Sequence, residues 1–157
     1  MADVTDNGHQ RSSAERRLWS TFVVLLFAVW WGGLTFYAAI VVPIGGEQIG
    51  ETEQGFVTQQ VTRWHNALLT AMTVCLLIEA CRQKRWPLWA VVCGLGVINA
   101  ALLYQHLQLT TLMDMRGRSV SNDFYAQHAI YLWLTTVEWV IGLAIPFQFG
   151  DTSDGSP

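Results

Sequence analysis

Polar residues recur at one helical spacing inside the last apolar stretch of the chain: His128, Tyr131, Thr135 and Glu138. At ~100° per residue these four fall within a stripe about 80° wide on one side of a helix. Two more histidines, His65 and His106, belong to the two preceding apolar stretches. Neutral imidazoles held at one depth by neighbouring helices are the donors that a b-type haem takes two at a time, or that a copper or zinc ion takes in a group of three. Met113 and Met115, flanking Asp114, add thioether sulfurs suited to Cu(I). The plainer alternative is an interfacial histidine with one wet edge, and Trp64 beside His65 is an anchor of that kind.

Glu138 carries a different chemistry. An ionisable group inside a membrane-length apolar helix is costly and therefore a candidate for function. It lies ten residues, ~15 Å, beyond His128 on the same face. It either relays protons from the histidine layer or is a carboxyl hydrogen-bonded to Asn99 or to a Ser/Thr of a neighbouring helix. Asn99 itself reads as a polar contact between helices, and Glu79 as a surface partner of Arg82.

The elements that position these residues are four apolar spans, at about 18–44, 61–81, 87–113 and 123–146. Each is long enough at ~1.5 Å per residue to cross ~30 Å of hydrocarbon. The 157-residue chain is 52% hydrophobic and 13% charged, against about 25% charged for a soluble domain. The fold class that follows is all-α, a single integral-membrane four-helix bundle over residues 13–147, with disordered tails at 1–12 and 148–157. Ser12-Ser13-Ala14-Glu15 forms a capping box that starts the first helix. Pro43 and Gly45-Gly46 end it, Glu47 to Gln60 connect it to the second span, and Gly32-Gly33 marks a close approach between helices. The first span is too long for a secretory signal and lacks a small-residue cleavage site.

Six of the nine basic residues, Arg11, Arg16, Arg17, Arg82, Lys84 and Arg85, fall on one side under an even number of crossings. The positive-inside rule places that side, with both termini, in the cytoplasm, as in a multi-pass protein of the cell inner membrane. Under this topology His65, His106 and His128 all lie in the outer part of the bundle. The scattered basic residues exclude a nucleic-acid partner. The three cysteines, an odd number, indicate no disulfide framework. No nucleophile elbow, phosphate loop, CxxC or HExxH is present.

The run Trp30-Trp31-Gly32-Gly33-Leu34-Thr35-Phe36-Tyr37, continuing to Val41-Val42-Pro43, resembles the first helix of small four-helix membrane proteins of the copper-resistance-D-like superfamily. Phe124-x-x-x-His128-x-x-Tyr131 is similar to the last helix of its uncharacterised bacterial branch. The resemblance covers most of Ser20 to Ile145. It implies a four-helix bundle and, in some relatives, copper handling or haem binding. One haem-dependent relative, the J-type protoporphyrinogen oxidase, has a histidine in its first helix, whereas none lies between Leu18 and Ile44 here. That activity is not transferred, and only His128 is carried over as a ligand.

Three functions stand side by side. One is haem or copper binding through His65, His106 and His128, for electron transfer or metal handling. Another is a cofactor-free structural or accessory subunit, held to a membrane partner or to a second copy of itself. The third is a small-solute or proton pathway along His128 and Glu138.

Overall fold

The computed structural model describes residues 4–114, 117 and 119–149, and their backbone is almost wholly helical. Four helices are long and apolar enough to cross a membrane: Ala14–Ile49 (α1), Glu51–Gln83 (α2), Trp86–Thr111 (α3) and Phe124–Gln148. The last comprises α4 (Phe124–Leu143) and, after Ala144, the short α5 (Ile145–Phe149). The chain is an all-α, multi-pass helical protein. Large apolar side chains such as Leu18, Phe22, Trp133 and Phe147 point outward and are more than half exposed, as helices facing hydrocarbon require.

The first two helices depart from the sequence expectation. The backbone is already helical from Val4, and α1 passes through Pro43 to end at Ile49. Two five-residue π turns, Ala28–Gly32 and Tyr37–Val41, lie within it. The second directly precedes the segment that has Pro43 in its first turn. A π turn breaks the i→i−4 register, so the N–H that proline lacks has no ladder position to leave empty.

The whole connection from α1 to α2 is Gly50. Its φ of 88° lies in the left-handed region that glycine enters without penalty. Its N–H bonds the Gly46 carbonyl, and its own carbonyl accepts from Gln54. The polar stretch from Glu51 to Gln60 is thus the first three turns of α2, not a loop. A Lys84 residue in the left-handed region, φ 53°, ends α2, and Pro87 sits in the first turn of α3. Between α3 and α4, Met113–Asp114 and Ser119–Val120 form a two-residue antiparallel ladder.

The core divides along the bundle axis. Towards the α2–α3 turn it is apolar: Val23, Leu69, Met72, Cys75, Leu76, Ala80, Leu88, Val92, Leu95 and Ile145. From mid-bundle towards the Gly50 turn, the buried residues include Glu138, Asn99, Asn66, Gln105 and Gln54.

Candidate functional site: a buried carboxylate and histidine at mid-bundle

The extra length of α2 decides which residues meet. With α2 starting at Glu51, His65 stands fourteen residues, ~21 Å, from its beginning instead of four. It therefore lies level with Glu138 and not with His128. His65 Nε2 is 2.8 Å from Glu138 Oε1, with side-chain exposures of 10% and 0%. The Trp30 indole N–H, fully buried, donates to the same oxygen at 2.8 Å. The Trp30 and His65 rings stack at 6.5 Å and 18°. Three helices thus converge on one carboxylate. Its other oxygen, Oε2, is buried without a hydrogen-bond partner among the described residues.

The wall behind this centre is built from tryptophans. Trp31 Nε1 donates to the Trp139 carbonyl at 3.1 Å, Trp139 Nε1 donates to Thr35 Oγ1 at 2.9 Å, and the two indoles stack at 5.3 Å. Gly142 makes room for them. A Cβ there would lie 2.4 Å from Trp31 Cδ1 and 3.3 Å from the Trp30 ring. The close helix approach expected at Gly32-Gly33 is found at Gly142 instead. A Cβ on Gly32 or Gly33 would meet nothing within 4 Å.

On the Gly50 side of the centre, a polar stripe descends α2. Gln54, Thr58, Thr62 and His65 follow at helical spacing of four, four and three. Gln54 Nε2 donates to Tyr37 Oη at 3.3 Å, Tyr37 donates to Thr58 at 3.0 Å, and Thr62 donates to the Thr58 carbonyl. Next to His65, Asn66 is buried and its Oδ1 accepts from Tyr131 at 3.2 Å. Asn66 Nδ2 is buried without a partner among the described residues. Asn99 and Thr70 exchange bonds at 3.0 and 3.3 Å between α3 and α2. Among the described residues nothing equivalent continues from Glu138 towards the α2–α3 turn, where the core is apolar.

The expected trio of histidines does not assemble. His106 and His128 do share a layer, because Gln105 Nε2 bonds both the carbonyl and the side chain of Gln127, at 3.0 and 2.6 Å. Each histidine follows one of these glutamines on an antiparallel helix. His128 stacks on Phe124 at 5.5 Å, while His65 is held one level deeper by Glu138. Among the described residues no group of three or more His, Cys, Asp or Glu stands ready to hold a metal ion. Met113 lies in the first strand of the hairpin, beyond the end of α3, and Met115 lies outside the described residues. Thr135 Oγ1 bonds its own helix at the Tyr131 carbonyl.

Sequence reasoning paired Glu138 with neither His65 nor Trp30. The signal was present in the spacing of Gln54, Thr58, Thr62 and His65, which marks α2 as helical well before Val61. No protein-family profile, curated protein or solved structure matches the chain.

Proposed function

We propose that this is a membrane protein of the cell inner membrane whose working centre is a proton-binding pair, His65 and Glu138. The pair is reached from the outer face along Gln54, Tyr37, Thr58 and Thr62. The observation that carries this reading is the fully buried Glu138 carboxylate. It lies near the middle of its span, shares one oxygen between His65 and Trp30, and keeps the other without a partner among the described residues. A buried ionisable pair inside a transmembrane bundle is rare and is the hallmark of a proton or ion route. His65 and Glu138 share a proton across one hydrogen bond, as imidazolium and carboxylate or as imidazole and carboxylic acid. Oε2 is the free position at which a further proton or a water can enter. The apolar core beyond Glu138 keeps the pair closed towards the other face. Under the positive-inside rule the excess of basic residues around that face supports a cytoplasmic side there, with both termini.

The test is proton flux in liposomes. Glu138→Gln keeps the shape and the bonds to Trp30 and His65 but holds no exchangeable acidic proton. Flux falls at least tenfold while the melting temperature stays nearly constant. Unchanged flux in a folded Glu138→Gln protein overturns the reading in favour of a cofactor-free structural or accessory subunit, for which the centre would serve only to join helices.

A second reading is haem or copper binding through His106 and His128. The Gln105–Gln127 bonds favour it by setting the two imidazoles in one layer on adjacent helices, and the resemblance to copper-resistance-D-like proteins agrees with it. A Soret band or stoichiometric copper in purified protein, lost on His128→Ala, checks it.

A further inference from the structure

The polar stripe that leads to the carboxylate begins with a residue that is closed to solvent. Gln54 stands in the first turn of α2, at the Gly50 end of the bundle, yet it is only 5% exposed. Gln59 Nε2 donates to Thr110 Oγ1 at 3.2 Å, at the last turn of α3. Gln54 lies five residues, ~7.5 Å, beyond that level, and its cover comes from α1. Gly45 provides the seat. A Cβ there would overlap Gln54 Oε1 and lie 2.5 Å from Cδ and 3.2 Å from Nε2, so the amide rests against bare glycine backbone. Tyr37, which opens the second π turn of α1, accepts from Gln54 Nε2 at 3.3 Å. Such turns are frequent at functional positions.

The amide is held loosely, in contrast to the hydroxyls behind it. Its bonds to Tyr37 and to Thr58 Oγ1, at 3.3 and 3.4 Å, are longer than an ordinary N–H···O bond. Tyr37 donates to Thr58 at 3.0 Å, and the Thr58 and Thr62 hydroxyls donate to carbonyls of their own helix at 2.8 and 2.6 Å. A glutamine side chain changes rotamer without moving the backbone. Seated, it covers the Tyr37 and Thr58 hydroxyls; swung out, it leaves them open to water at the end of the stripe that reaches His65.

We propose that Gln54 is the gate of this route. Seated against Gly45 it keeps water from Thr58, Thr62 and His65, and swinging out it admits water that exchanges protons with the His65–Glu138 pair. The purpose of the gate rests on the reading of that pair as a proton centre, but its opening can be measured whether or not protons cross the membrane.

The Trp30 indole N–H, buried on Glu138, reports the opening through its hydrogen–deuterium exchange when purified protein is moved into D2O. Its N–H stretch is isolated by comparison with Trp30→Phe. Gly45→Ala displaces the end of a flexible side chain and so expels Gln54 from its seat, whereas Gln54→Ala removes the gate itself. Exchange at Trp30 speeds about tenfold or more in each. Gln59→Ala, which removes the same side chain from the α3-facing side of α2, changes it less than about twofold. Wild-type exchange in either gate variant overturns the proposal. So does an equal acceleration in Gln59→Ala, which would mean a general loosening of the hairpin. Faster exchange in the gate variants together with unchanged proton flux in Glu138→Gln would leave the gate standing and remove the proton-route reading. Circular dichroism on the same samples confirms that the variants are folded.

Discussion

The histidine at mid-bundle and the two histidines of the layer nearer the Gly50 turn are the same residue type in helices of similar composition, yet their surroundings differ in kind. His65 is nearly buried and bonded to a fully buried carboxylate, which in turn accepts from a tryptophan of a third helix. His106 and His128 are half-buried and lie beside a glutamine pair that already joins α3 to α4. The lesson concerns depth. Near a helix end a ring can keep one edge wet, so its partner is optional. At mid-span each polar atom must be matched by protein, and one unmatched atom stands out.

The largest effect that would break this comparison is on stability. Glu138→Ala removes the common acceptor of His65 and Trp30 and leaves two buried donors unpaired, at a cost of roughly 2–4 kcal/mol. His128→Ala removes a ring stacked on Phe124, worth about 1 kcal/mol. Unfolding in mixed detergent micelles measures both. If His128→Ala proved the more damaging, the His106–His128 layer and not mid-bundle would be the organising centre.

A smaller loss comes from a residue that touches neither histidine. Gly142→Ala places a Cβ 2.4 Å from Trp31 and 3.3 Å from Trp30, and overpacking of this kind costs about 1–3 kcal/mol. Trp31 must yield most, and Trp30, with its ring 3.3 Å from the new Cβ, must give by a few tenths of an ångström, so the Trp30 hydrogen bond to Glu138 should lengthen. The indole N–H stretch of Trp30, isolated by comparison with a Trp30→Phe protein, then moves to higher frequency. Gly32→Ala, with nothing within 4 Å, leaves both stability and spectrum nearly unchanged. Equal effects at the two glycines would mean that the tryptophan wall does not support the carboxylate.

The contrast between those glycines shows what the sequence could and could not disclose. Four membrane-length helices were legible from composition and apolar run length alone, because hydrocarbon thickness sets one and exclusion of charge the other. Glu138 was legible as an expensive residue. Its partner His65 was not, because that residue's depth depends on where α2 begins, and Glu51, Glu53, Gln54 and Gln60 resemble a loop by polarity. Pro43 misled in the same way: a proline ends a regular helix but not one with a π turn just before it. A four-residue shift along a helix moves a side chain by ~6 Å, so a ten-residue error in the start of α2 was enough to seat His65 beside the wrong partners. Gly142 and the tryptophan wall required three-dimensional contact, since a lone glycine in an apolar run has no spacing to read.

The smallest predicted effect sharpens the comparison, because it concerns the residue between the two regions. Tyr131 lies three residues from His128 and seven from Glu138, is buried, and donates to Asn66 Oδ1 at 3.2 Å. Tyr131→Phe keeps the ring and loses that one interhelical bond, worth about 0.6 kcal/mol and at most ~1.7 in a membrane bundle. Asn66 Nδ2 already lacks a partner among the described residues, so the single change leaves the Asn66 side chain with neither of its polar atoms matched by them. Removing a buried polar group together with its partner is less costly than orphaning it. Adding Asn66→Leu to Tyr131→Phe should therefore recover part of the loss, giving a positive interaction in the double-mutant cycle. Simple additivity would mean that Asn66 finds another partner, such as a water shared with Glu138 Oε2. The polar half of the core would then form one continuous network from the His106–His128 layer to the carboxylate.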